Sequence, residues 1–229
     1  MRKGRAFYIR RLLKAITKSC LERWLLVGMF VGGEFYHVPV RTYDVDLCIF
    51  LDPEEECLEA FMRRLVRVFR IAERDITPWA SFMGRIRAGH ILVIEPASNI
   101  DFHIDIIPVT PKHEHYRILR EALDNHRVAR WRGLLVKIPT KEYWICLKLA
   151  SFRDKDRYHL AEMLKTHHLL GLRIDVRALS DILRGFPQLE VRWNELLAKL
   201  REESGLMVDE DTGFIKSENH SVIYLRGKH

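Results

Sequence analysis

A chain of 229 residues with 48% apolar side chains has enough material for a sizeable core, which argues against a disordered chain. Its formal net charge of +7 and pI near 9.3 favour an anionic partner, a nucleic acid, a nucleotide or both. Arginine outnumbers lysine 26 to 12, a balance that suits phosphate contacts. No apolar run approaches 18 residues, so no membrane partner is expected, and MRKGRAFYIRR lacks the long apolar core of a signal peptide. The four cysteines form no C-x-x-C pair, and the apolar settings of Cys20, Cys48 and Cys146 predict reduced, buried thiols in a cytoplasmic protein.

In chain order, residues 5 to 23 place Ile9, Leu12, Leu13, Ile16 and Leu21 near helical spacing, with Arg10, Arg11, Lys14 and Lys18 on other sides. Leu25–Val31 reads as a short buried strand and is followed by Gly32 and Gly33. A second strand carries Asp44, Asp46 and Leu47–Leu51. Asp52-Pro53-Glu54-Glu55 has the form of a helix start, and the helix runs to about Arg74 over a stripe of Leu58, Phe61, Met62, Leu65, Val66 and Phe69. Its arginines Arg63, Arg64, Arg67 and Arg70 read as a solvated side. Ser81–Arg87 and His90–Glu95 suggest a hairpin around Ala88-Gly89. Residues 99–108 alternate, with Asp101, His103 and Asp105 on one side and Phe102, Ile104 and Ile106 on the other. Helical patterns follow over 112–126, 140–152, 156–168, 175–184 and 189–203, with Gly171, Gly185 and Pro187 as breakers. These predict an α/β chain with domains at 1–125 and 126–204 and a tail or small hairpin at 205–229.

Two carboxylates at i and i+2 on a strand project to the same side and repel unless something positive lies between them. Asp44 and Asp46 therefore ask for a hard cation, with a third carboxylate, Asp105 or Asp101, from a neighbouring strand. Glycines let backbone amides approach a phosphate closely, so Gly32 and Gly33 are candidates to cradle one. Arg41 and Thr42 add a cation and a hydroxyl just before the acids.

Gly32-Gly33, the spacer and Arg41-Thr42-x-Asp44-Val45-Asp46-Leu47 together resemble the signature of the nucleotidyltransferase superfamily, in its AbiEii-type and CCA-adding-enzyme-like branches. Ile104-Asp105-Ile106-Ile107-Pro108 is similar to the strand that supplies the third acid there. The segment from Lys148 through Arg153, Lys155 and Asp156 resembles the K…R.KD motif of AbiEii-like proteins. The resemblance covers roughly residues 25 to 165. It implies a mixed sheet flanked by helices, with a helical region after it. Asp44, Asp46 and Asp105 would be catalytic residues holding two Mg2+ ions; Gly32, Gly33, Arg41, Thr42 and Lys148 would contact the nucleotide. The implied reaction moves a nucleoside monophosphate from an NTP to an acceptor hydroxyl, RNA or tRNA by the charge. A non-catalytic nucleotide-binding module, such as a toxin–antitoxin component, or transfer to a small molecule or protein, are the alternatives. His113, His115, His167 and His168 lack partners at zinc spacing, and Trp79, Trp131, Trp144 and Trp193 read as core.

Overall fold

The computed structural model describes residues 4–51, 55–96 and 101–217; the side chains of residues 55, 56 and 73 are outside that description. The expected helix start at residues 52–54 also lies outside it. The chain is mixed α/β and divides into two compact units, residues 1–147 and 148–229.

In the first unit, α1 (Arg5–Thr17) buries Ile9, Leu12, Leu13 and Ile16 along one stripe, as their spacing predicts. β1 (Trp24–Val27) is wholly buried. The apolar run does not continue as a strand. Gly28 takes φ +71°, and α2 (Gly28–Phe35) begins there, burying Met29, Phe30 and Val31. β2 (Asp44–Phe50) returns antiparallel to β1, and α3 (Glu55–Phe69) follows, with Leu58, Phe61, Met62 and Leu65 buried. α1 packs against α3.

The hairpin expected at 81–95 does not form. After α4 (Glu73–Ile76), residues 79–87 make α5 (Trp79–Arg87), and β3 (Leu92–Ile94) pairs instead with β4 (His103–Val109). Phe82 and Ile86 fit either period, but Phe82, Met83 and Ile86 are buried together at helical spacing. The sheet order is β1-β2-β4-β3, with β2 and β4 parallel and the other pairs antiparallel. On one side Val45, Leu47, Ile49, Ile104 and Ile106 are fully buried. On the other, Leu25, Cys48, Phe50 and Val109 pack under Leu119, Ala122 and Leu123 of α6 (Tyr116–Asp124).

The hairpin β5 (Arg127–Trp131) and β6 (Leu134–Ile138) also belongs to the first unit, beyond the expected limit at residue 125, because β6 packs against β1 and α1. α7 (Lys141–Ser151) crosses the division between the units.

The second unit holds α8 (Asp154–Leu170), α9 (Val176–Arg184), α10 (Pro187–Ser204) and a hairpin of β7 (Leu206–Val208) and β8 (Ile215–Ser217). Gly171 and Gly205 end α8 and α10 in left-handed conformation.

Cys48 and Cys146 are free and buried, as the sequence predicts, but Cys20 is not: it is bonded to Cys57, with the Cα atoms 5.2 Å apart. The pair lies 37 residues apart in sequence and meets only because α1 and α3 pack together. Among the described residues no helix is long and apolar enough to cross a membrane.

Candidate active site

The parallel register of β2 and β4 sets Asp44 beside His103 and Asp46 beside Asp105. Asp46 is also opposite Val27, and Asp105 opposite Val93, so one row across the sheet reads Val27, Asp46, Asp105, Val93. Directly paired residues share a side, which brings the two carboxylates next to each other on strands about 4.8 Å apart. Further along that side come Cys48, Phe50, Ile107 and Val109, packed under α6. The acids thus occupy the end of a sheet surface whose other end is covered. All three are partly exposed.

Of the two candidates for the third acid, Asp105 is therefore the one placed by the sheet. Asp101 precedes β4 and is exposed. His103 Nε2 stands 3.7 Å from Asp105 Oδ2.

Thr42 is buried, and its hydroxyl donates to Asp44 Oδ1. Arg5 of α1, which belongs to no motif in the sequence, donates from Nη1 to the Thr42 carbonyl at 2.6 Å. Burial lowers the Arg5 guanidinium from its ordinary value, and the charges of Glu34 and Asp44 act against that shift. Arg5 thus supplies positive charge beside Asp44. Its only signal in the sequence is a place at the start of a basic helix. Arg41 is exposed, with its guanidinium carbon 5.2 Å from the Tyr43 ring centroid. Burial, then the charge of Asp46, pushes the Cys48 thiol up, which makes it an inert core group.

The glycines fall differently from expectation. Gly32 and Gly33 lie inside α2, not at a strand end. A Cβ on Gly32 would meet Trp144 Cζ2 at 2.6 Å, so this residue is small to admit the indole. Trp144 Nε1 also donates to the Gly28 carbonyl at 2.8 Å. Gly33 is exposed, and a Cβ there would find only ordinary contacts. The glycine at the acids is Gly28. It turns the chain between β1 and α2, and a Cβ on it would stand 1.7 Å from Asp46 Oδ2. A glycine directly after an apolar strand is the signal that could have found it.

Lys148 belongs to the second unit. It is 8% exposed, and its Nζ donates to Asp156 Oδ1 at 2.8 Å. Arg153 Nε donates to Asp156 Oδ2 at 2.7 Å, so both oxygens of this fully buried carboxylate are taken up. Burial alone would raise the Asp156 carboxyl, but the hydrogen bond from Arg153 and the charge and hydrogen bond of Lys148 outweigh it and hold the group below its usual range.

An all-oxygen donor set suits a hard divalent cation. The side chains are nevertheless arranged around protein neighbours: Asp44 on Thr42, Asp46 against Gly28, Asp105 toward His103. Among the described residues no group of three or more His, Cys, Asp or Glu stands positioned to hold a metal ion. The residues suit such an ion in kind, and Asp46 and Asp105 are neighbours in register.

No protein-family model matches the chain. Elongation factor 1-alpha of Pyrococcus furiosus is 29% identical over 150 residues, covering 62% of this chain and 34% of that protein. Elongation factor 1-alpha of Pyrococcus woesei matches with the same figures. The chain therefore spans about a third of the length of the curated relatives it matches.

Proposed function

We propose that this chain is a magnesium-dependent nucleotidyltransferase that moves a nucleoside monophosphate from an NTP to an acceptor hydroxyl, with RNA or tRNA as the acceptor. The observation that supports it best is the register: Asp46 and Asp105 are neighbours on parallel strands, with Asp44 two residues before Asp46 on the same side. Magnesium bound at Asp44, Asp46 and Asp105 would neutralise phosphate oxygens and lower the barrier to attack by a hydroxyl. In this reading Asp105 would take the acceptor's proton as its oxygen attacks the α-phosphorus; the bond to the oxygen bridging to the β-phosphate breaks and pyrophosphate leaves. Thr42 holds Asp44, and Gly28 gives Asp46 the room it occupies. The residues' contribution is chiefly positioning and charge neutralisation. The chain contains no G-x-x-x-x-G-K-[ST] loop, so it lacks that alternative phosphate cradle.

Incubation with each labelled NTP, magnesium and total RNA tests the proposal. Wild-type protein releases pyrophosphate and labels RNA, and Asp44→Asn or Asp46→Asn lowers this at least 100-fold. Unchanged transfer in both variants would remove the proposal. The second reading is a nucleotide-binding module without catalysis, such as one component of a toxin–antitoxin pair. Tight NTP binding with no pyrophosphate release is its outcome.

A further inference from the structure

The positive charge of this chain is unevenly distributed. The first unit holds 24 Lys and Arg against 18 Asp and Glu, whereas the second holds 14 against 13. Between Cys57 and His90 there are seven arginines, no lysine and three acids. These arginines lie on or beside α3, α4 and α5. Arg63 and Arg67 are one turn apart on α3 and exposed; Arg70 directly follows the helix, and Arg74 lies in α4. Arg85 and Arg87 are exposed at the end of α5.

The two helices are fastened together at this surface. Trp79 Nε1 donates to Glu59 Oε1 at 3.0 Å, and Arg63 pairs with the same carboxylate at 2.7 Å while lying 4.4 Å from the Trp79 ring centroid. Hydrogen bonds from Arg63 and then Trp79 hold the Glu59 carboxyl below its usual range, so the start of α5 is tied to α3. Glu59 is thereby committed to Arg63. Arg67, Arg70 and Arg85 are exposed and make no ion pair with a described residue.

A surface built for solubility alone mixes its signs; one sign without counter-charge attracts a polyanion. Guanidinium groups in place of ammonium groups suit phosphate oxygens, which they grip through two N–H donors. We propose that the outer side of α3, together with the end of α5, binds the phosphate backbone of RNA. The choice of RNA rests on the nucleotidyl-transfer reading, in which RNA presents the acceptor hydroxyl.

Binding of the full-length protein to a fluorescent RNA hairpin, measured without nucleotide across a salt series, tests this surface. Each phosphate that the protein no longer neutralises makes the slope of log K against log salt shallower by about 0.7 to 0.9. The variant Arg67→Gln/Arg70→Gly/Arg85→Gln is expected to bind at least 10-fold more weakly at 100 mM salt, with a slope shallower by about 2. Arg70 has φ +55°, a conformation glycine adopts without strain, so Arg70→Gly alone weakens RNA binding with no loss of thermal stability. Unchanged affinity and slope in the triple variant would overturn the proposal. So would tighter binding of wild type to duplex DNA, or to vesicles of phosphatidylserine, than to RNA. Asp46→Asn should bind the hairpin like wild type, which separates a failure of this surface from a failure of the catalytic reading.

Discussion

Two glycines four residues apart on one short helix have different reasons to be glycine. Gly28 has φ +71° and lies against the Asp46 carboxylate; Gly32 has ordinary helical backbone and lies under Trp144. Gly28→Ala therefore strains the backbone by about 1 to 2 kcal/mol and displaces Asp46, so NMP transfer falls more than stability does. Gly32→Ala overpacks the core by about 1 to 3 kcal/mol but leaves nucleotide affinity near wild type. Urea unfolding and NTP calorimetry on both variants check this. A cradle made by Gly32 would instead show as weakened NTP binding in the second variant. The acids were legible because alternation on a strand is read directly from sequence, and Asp105 follows the same rule. Gly28 was not, since a continuous apolar run does not say where a strand stops and a buried helix begins. The Arg5 hydrogen bond joins residues 37 apart, which no local pattern reports.

At the scale of elements, α1, α3, α6 to α10 and the strands β2 and β4 follow from periodicity, while α2, α5 and the pairing of β3 do not. In a nine-residue helix, Phe82 and Ile86 match a strand period as well as a helical one, and only burial of Met83 decides. The Cys20–Cys57 bond had no local signature either, because it depends on the packing of α1 on α3. It closes the segment that carries Gly28, Thr42, Asp44 and Asp46. A loop of this size contributes up to about 4 kcal/mol by restricting the unfolded chain. Reduction, or Cys20→Ser, is expected to lower the melting temperature by several degrees, with wild type under oxidising conditions as the reference. Equal melting temperatures with and without a dithiol reductant would show that the bond contributes nothing.

Across the whole molecule, the candidate acids and the net positive charge concentrate in the first unit, and the second has its own buried ionic centre. Asp156 is fully buried and binds both Lys148 and Arg153. Removing one partner from such a centre leaves buried charge uncompensated. Asp156→Asn should cost about 3 kcal/mol at pH 7, the low end of the range for buried pairs because Arg153 remains largely in solvent. The pH dependence follows from the depressed carboxyl. Its contribution is fully present above the unfolded value, near 4, and is lost as pH falls through the lower folded value. Acid titration of unfolding should show this loss in wild type and not in the variant.

The functional reading turns on neighbouring carboxylates of parallel strands forming a divalent-metal and triphosphate site. Calorimetry of a manganese–NTP complex binding to wild type, Asp46→Asn and Asp105→Asn is the decisive measurement. Wild type is expected to bind saturably and each variant at least 10-fold more weakly, with the fold intact by circular dichroism. Equal affinity in all three proteins, or no metal-dependent binding to wild type, would contradict that assignment.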